Sequence, residues 1–376
     1  MTWSTFLAVA ASLTVASFAY LIWYFRWESR QTSGVAYYGR TLAERRALKR
    51  RIRLYSLPAL PLVWLLSLLA RRQTSLPSFD FEGVAGPMKA SSPDVFAKAK
   101  QYTPAPEDVF VATQMRCGTT WMQQVVYQIV THGAGDFRDD GLRHLYAASP
   151  WIDAVNSVSM EAAPLVGSPA VRIVKTHLPV ELCPYSPDAK YIYVARHPVS
   201  CFASIVDFNR SMVGPFLPAV PALADWFCSD RMYWLPWPRH VEGWWRWSEQ
   251  RPNVLFVHFE EMSRDFGSVL DRVAAFLGHT LTAAEKARVT ERCSFKYMKE
   301  QEEFFEMAPP TMFSVAGGQF MASGKEKRHE DVTPVLRERI LAYCRTSLAG
   351  ADYPAARFYP DLAGETARAG EGRRAS

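Results

Sequence analysis

The hydrophobic pattern changes character along the chain. Phe6 to Phe25 reads FLAVAASLTVASFAYLIWYF, with no charged residue, and as a helix it matches a hydrocarbon core about 30 Å thick. A transmembrane helix is expected there. Leu54 to Ala70, LYSLPALPLVWLLSLLA, is shorter, broken by Pro58 and Pro61 and bracketed by Arg51, Arg53, Arg71 and Arg72. An interfacial or re-entrant segment is expected from it rather than a second span. From Arg72 to about Pro106 the sequence turns Ser/Pro-rich and loses periodicity, as a linker does.

Beyond residue 106 short apolar runs alternate with helical periodicity. Val109 to Thr113 (VFVAT), Val171 to Val174, Tyr191 to Ala195 and Val254 to Phe259 have the length and composition of buried strands. Helices are expected over WMQQVVYQIV, over Pro198 to Asn209 with proline in its favoured first position, over Arg239 to Glu249, and over Phe266 to Leu277 before Gly278. Strand and helix in alternation predict an α/β fold, a mainly parallel sheet flanked by helices on both faces, with a P-loop-like turn at its first strand end and an N-terminal transmembrane helix outside it. The expected organisation is a membrane anchor over 1–72, a linker over 73–106, a globular domain over 107–360 and a disordered tail over 361–376.

Charge sharpens the first part of this picture. The net +6 is uneven: between Arg26 and Arg53 nine Arg or Lys face only Glu28 and Glu44. That cluster points to a membrane surface or anionic lipid and not to nucleic acid. Lying after the apolar run, it also places the rest of the chain in the cytoplasm by the positive-inside tendency. A cleaved signal peptide is disfavoured, because no basic residue precedes the run and the run is long and aromatic. Six cysteines, Cys117, Cys183, Cys201, Cys228, Cys293 and Cys344, are scattered without CxxC or zinc-type spacing. Free thiols in a reducing compartment are expected, and no metal site.

Three strand ends carry chemistry. Arg116-Cys117-Gly118-Thr119-Thr120-Trp121 stands where a strand gives way to a helix, a position where free N–H groups and the helix dipole attract anions. It lacks the lysine after glycine that a Walker A loop would use for a triphosphate. Lys175-Thr176-His177-Leu178-Pro179 follows the second strand, and a histidine there has the ordinary pKa, about 6.5, of a general base. Arg196, at the end of the third strand, and Ser204, in the helix after it, are spaced to hold a second phosphate.

With these residues in order, the sequence resembles the PAPS-dependent sulfotransferases of the soluble, cytosolic type over roughly Glu107 to Pro360. The family's 5′-phosphosulfate loop, lysine-serine-glycine-threonine-threonine-tryptophan, matches Arg116 to Trp121 with two changes. Its lysine-threonine-histidine-leucine-proline segment is Lys175 to Pro179 unchanged, and its 3′-phosphate segment matches Tyr191 to Phe208. His240 to Met262 resembles its tryptophan-rich helix and following strand, and Cys293 to Lys299 its adenine-side turn.

The resemblance implies PAPS as donor without a metal, and a small, lipophilic hydroxyl or amine acceptor. It implies His177 as base, with Lys175 and Arg116 steadying the leaving phosphate. Donor contacts are implied for Arg116, Cys117, Gly118, Thr119, Thr120, Trp121, Arg196, Ser204, Phe259, Cys293 and Phe295, and for the last donor loop at Ser323, Gly324 and Lys325. In that loop the family's arginine-lysine-glycine reads Ala322-Ser323-Gly324, with Lys325, Lys327 and Arg328 just downstream. Phe259 stands where tyrosine is common. The aromatic stretch from Phe208 to Trp247, with Phe216, Trp226, Phe227, Trp234 and Trp237, suits the walls of an apolar acceptor pocket, and core packing or membrane contact equally. Two rival readings stand beside this one: a kinase-like phosphotransferase with Mg²⁺ on Glu260 and Glu261, and a membrane-tethered nucleotide-binding protein of the same fold without catalysis.

Overall fold

The four apolar runs form one parallel sheet. In the computed structural model, which describes residues 2–70, 73, 76–88, 90–138, 141–316 and 331–363, the chain opens with α1 (Trp3–Thr32), the short α2 (Gly34–Tyr38), α3 (Leu42–Ser56) and α4 (Leu60–Ala70). A hairpin, β1 (Ser78–Phe81) and β2 (Val84–Pro87), and α5 (Pro93–Gln101) lead to β3 (Asp108–Thr113). Then come α6 (Thr119–Val130), α7 (Leu145–Ala148), β4 (Arg172–Thr176), β5 (Lys190–Ala195), α8 (Pro198–Val213), α9 (Val220–Phe227) and α10 (Trp237–Gln250). The rest is β6 (Val254–His258), α11 (Phe259–Arg264), α12 (Phe266–Leu277), α13 (Ala283–Arg292), α14 (Phe295–Glu300) and α15 (Pro334–Ser347).

The strand order is β4-β3-β5-β6, every pair parallel. Side chains alternate across the sheet, as the two-residue period requires. Phe110, Ala112, Val174, Tyr191 and Tyr193 enter one core, and Val109, Val111, Ile173, Ile192 and Val194 the other. Helices cover both faces, so the strands read as unbroken apolar runs. The chain leaves β3 for β4 on one side and returns to β5 on the other. That reversal opens a crevice at the carboxyl end of β3, where ligands bind in open α/β sheets. The predicted strands and helices match within a few residues; Phe259, expected as the last strand residue, instead opens α11.

The segment expected as a linker holds regular elements. The hairpin and α5 are folded onto the domain: Val84, Phe96 and Ala99 are buried in the first core, and Ser92 caps α5 by accepting from the Val95 N–H at 3.3 Å. Nor is the basic segment a free membrane-facing strip. In α3, which starts on a Thr41–Glu44 capping box, Leu48 and Ile52 join the second core. Arg45 is buried and donates to the Arg143 carbonyl at 2.9 Å, while Arg46 pairs with Glu303 at 2.6 Å and Lys49 with Glu306. These three cations have partners in the domain.

α1 is long and apolar enough to cross a membrane, and its most apolar window is only 6% buried. Its C-terminal end is docked: Leu21 and Tyr24 pack with Ala59, Val63 and Met312. Glu28 accepts from the Tyr24 hydroxyl at 2.7 Å and from the Met312 N–H at 2.9 Å. The 54–70 run, expected at the interface, becomes the end of α3, a tight turn and the 11-residue α4. At about 1.5 Å per residue α4 is too short to span. Its Val63 joins the cluster of Leu21 and Tyr24, while Trp64 and Leu65 stay exposed.

Candidate functional site

The turn after β3 is shaped by two left-handed residues, Arg116 at φ 65° and Gly118 at φ 103°. A Cβ on Gly118 would lie 2.7 Å from Phe259 Cδ2, so both backbone angle and space require glycine. α6 then begins at Thr119, presenting the unpaired N–H groups of a 12-residue helix. The two threonine hydroxyls, both expected as donors to the ligand, face different ways. Thr119 Oγ1 turns inward, 2.6 Å from Thr113 Oγ1, and Thr120 Oγ1 lies 3.0 Å from the Tyr146 hydroxyl. Gln114 ties this loop to the turn before α10, its amide donating to the carbonyls of Tyr233 at 2.9 Å and Leu235 at 2.7 Å.

At the end of β4, Lys175 is completely buried, its ammonium 3.5 Å from the Trp151 ring centroid and 4.9 Å from that of Tyr146. Burial pushes its pKa well below the ordinary lysine value, and the Arg116 charge adds to this while Asp153 opposes it. His177 follows on the same strand end. Its Nδ1 lies 2.8 Å from the Thr113 carbonyl. A carbonyl only accepts, so Nδ1 carries the proton and Nε2 the lone pair. The ring stands between Trp151 and Trp234, with centroids 5.2 and 4.9 Å away. Its main chain is held from both sides: its N–H donates to Asp153 at 3.1 Å, and its carbonyl accepts from His240 Nε2 at 3.0 Å. Burial and the neighbouring Lys175 push the imidazole pKa well below its usual value.

The third strand end supplies the cations. Arg196 donates to the Arg116 carbonyl at 3.0 Å and lies over the Phe259 ring at 4.4 Å. Its Nε is buried without a partner among the described residues, a donor that a ligand could use. Arg116 reaches Ser204 on α8 through Nε at 3.2 Å and lies 4.8 Å from the Phe208 centroid. Burial, with Arg196 beside it, brings its pKa down to about 10, so it stays charged at neutral pH. Trp121 stacks on Phe266, contacts Phe259 edge-on and donates to the Cys293 carbonyl at 2.8 Å. Phe295, two residues beyond Cys293, is exposed at the start of α14. One crevice therefore collects an anion loop, a buried lysine, an imidazole with a free lone pair, two arginines and an aromatic shelf. Ser323, Gly324 and Lys325 lie outside the described residues.

The sulfotransferase domain family matches residues 106–352, well over half of the chain. The chain belongs to that family. Sulfotransferase 1C2 of Rattus norvegicus is 30% identical over 235 residues, covering 61% of this chain and 77% of its own. Sulfotransferase 2A1 of Homo sapiens is 28% identical over 227 residues, covering 59% and 77%. Among solved structures, retinol dehydratase in complex with androsterone and PAP aligns at a TM-score of 0.58 and 20% identity, over 77% of this chain and 95% of its own. A mouse sulfotransferase complexed with PAP aligns at 0.58 and 20%, over 76% and 99%. At that identity the structural likeness speaks for the fold. The protein is a sulfotransferase, an enzyme of sulfuryl transfer.

Within this sulfotransferase the kinase-like alternative finds no support. Glu260 accepts from the His197 N–H at 2.9 Å and from the Tyr359 hydroxyl at 3.1 Å, and Glu261 pairs with Arg272 at 3.2 Å. Both carboxylates are engaged in the fold. Of the aromatic residues expected to wall an acceptor pocket, Trp226, Phe227 and Trp237 belong to the core, while Trp234 lies against His177. Cys117, in place of the family's serine, faces Cys201 with 3.6 Å between sulfurs; all six cysteines are free. Residue patterns alone missed Thr113, Gln114, Tyr146, Trp151, Asp153 and His240. Of these, Thr113 and Gln114 adjoin the motif, whereas the others reach the site only through tertiary packing.

Proposed function

We propose that the crevice binds PAPS and transfers its sulfuryl group to a hydroxyl or amine on a small lipophilic acceptor, with His177 as general base. The observation that carries this reading is the Nδ1 bond to the Thr113 carbonyl, which fixes the tautomer and leaves Nε2 as the only basic atom of the ring. Nε2 takes the acceptor proton as the acceptor atom bonds to sulfur, and the bond between sulfur and the bridging phosphate oxygen breaks. Arg116, Lys175 and the N–H groups opening α6 meet the charge left on that oxygen. Arg196 and Ser204 hold the 3′-phosphate, and Trp121, Phe259, Cys293 and Phe295 border the adenine. Androsterone and retinol, the lipophilic molecules held by the retinol dehydratase structures alongside PAP, support a lipophilic acceptor by analogy.

α1 is read as a single membrane span with the domain on the cytoplasmic side, next to its basic flank. Docking of Glu28 and Tyr24 on the domain supports retention of this helix over its removal. Labelled PAPS, offered to the detergent-solubilised full chain with a panel of lipophilic alcohols, phenols and amines, should label at least one of them. PAP should raise the melting temperature. A protein that PAP leaves unshifted and that labels nothing refutes the reading. Protease treatment of sealed vesicles tests the topology: a domain protected in cytoplasm-side-out vesicles rules the orientation out.

A further inference from the structure

α3 lies outside the stretch matched by the sulfotransferase family, yet it bounds a cavity of about 310 Å³ against that domain, a volume typical of small-molecule sites. The domain side is apolar, with Phe208 and Met212 of α8 and Met307 and Val315 from the segment after α14. Phe208 is the partition between cavity and phosphosulfate loop, since the Arg116 guanidinium lies 4.8 Å from its ring centroid. The α3 side is basic, with Lys49, Arg50 and Arg53.

Charge at this cavity is not balanced. Glu306 is taken by Lys49 and by the Tyr37 hydroxyl at 2.9 Å, and Glu302 by Lys299 at 2.7 Å. Arg50 and Arg53, three apart and so neighbours on one helix face, are exposed and form no side-chain hydrogen bond or ion pair with any described residue. Among the described residues they are the surplus cations of the rim. One to two turns past Arg53 the chain presents Leu57 and Leu60, both exposed, at the start of the apolar α4 segment.

We propose that this cavity seats the acceptor, and that the acceptor is an anionic amphiphile arriving from the bilayer. Its acidic head sits on Arg50 and Arg53, and its apolar body lies along Phe208, Met212, Met307 and Val315. Its hydroxyl or amine reaches past Phe208 toward Arg116. A neutral lipophile would leave both guanidinium groups without a counter-charge, and a small polar anion would leave the apolar wall bare. The inference rests on the sulfuryl-transfer reading and adds the acceptor's charge and route.

The test compares an ω-hydroxy fatty acid with the α,ω-diol of equal chain length as acceptors for labelled PAPS, using the full chain in maltoside detergent. The acid should exceed the diol in kcat/KM by roughly tenfold, the worth of a charge-assisted hydrogen bond. In R50Q/R53Q that preference should vanish, the acid falling to the level of the diol measured in the same variant, while the PAP-induced rise in melting temperature stays. Met212→Trp, which fills the cavity, should depress both acceptors with the PAP response intact. Equal use of acid and diol by the wild type, or an undiminished preference in R50Q/R53Q, overturns the inference. An absent PAP response in the wild type instead refutes the donor-site reading beneath it.

Discussion

The imidazole of His177 is locked to the main chain of the anion loop: its Nδ1 donates to the Thr113 carbonyl at 2.8 Å. The imidazole and the loop after β3 are therefore tied together, because Thr113 ends β3 and Thr119, hydrogen-bonded to it, begins α6. His177→Ala should lower kcat by at least about 10²-fold, the usual loss of acid–base help, with PAP affinity nearly unchanged. The ring's depressed pKa also sets the sign of the pH dependence. A base must be unprotonated, so the acidic limb of kcat/KM should lie below the ordinary histidine value of about 6.5. A limb at or above that value, or wild-type turnover by the variant, would remove His177 from the role.

Lys175 gives a prediction that needs no acceptor. Burial holds its pKa well below the ordinary lysine value in the free protein, and an anionic donor beside it would favour the charged form. PAP binding should then be accompanied by proton uptake. Calorimetric titrations at pH 8 in buffers of different ionisation enthalpy measure this, at a pH where the nucleotide's phosphates are already ionised. The uptake should disappear in Lys175→Met. Proton release, or an uptake that survives in the variant, contradicts the assignment.

If Arg196 and Ser204 hold the 3′-phosphate, as proposed, their variants should tell the two phosphates of the donor apart. Arg196→Ala should weaken PAP far more than adenosine 5′-phosphosulfate, which lacks the 3′-phosphate. Ser204→Ala removes the partner of Arg116 Nε at 3.2 Å. It should weaken PAP by about fivefold, for a hydrogen bond worth ~1 kcal/mol, and the phosphosulfate less. Equal weakening of PAP and the phosphosulfate by Arg196→Ala would show that the arginine acts only by bracing the Arg116 carbonyl.

The strand ends were legible because a short apolar run followed by glycine, lysine or arginine is a local pattern. The residues that tune them were not. Trp151 covers Lys175, Asp153 holds the His177 N–H and His240 holds its carbonyl, yet each looks in sequence like an ordinary buried side chain. The misread linker did carry local signs: Phe79 and Phe81 alternate before the Glu82-Gly83 turn, and Ser92-Pro93-Asp94 is a helix start. Its Ser/Pro content outweighed them. Charge counting was incomplete for a different reason, because nothing local reveals that Arg46 and Lys49 pair with Glu303 and Glu306 more than 250 residues away.

That last misreading yields a prediction about where the chain can be cut. The exposed N-terminal half of α1 contributes nothing buried before Leu21, so removing residues 2–18 should leave the fold and PAP binding intact and only abolish membrane retention. Removing residues 2–56 is different in kind. It strips Tyr37, Tyr38, Leu48 and Ile52 from the second core, and at about 1.5–3 kcal/mol for each large buried side chain the loss is of order 6–12 kcal/mol. Whole domains are stable by only about 5–15 kcal/mol. The damage also reaches the site: Tyr38 packs on Tyr146 with centroids 5.6 Å apart, and Tyr146 in turn contacts Thr120 and Lys175. The longer truncation should therefore be insoluble or melt far below the full chain without binding PAP, whereas the shorter one should match it in both measurements. A soluble, PAP-binding protein lacking residues 2–56 would show that the N-terminal helices are a detachable anchor after all.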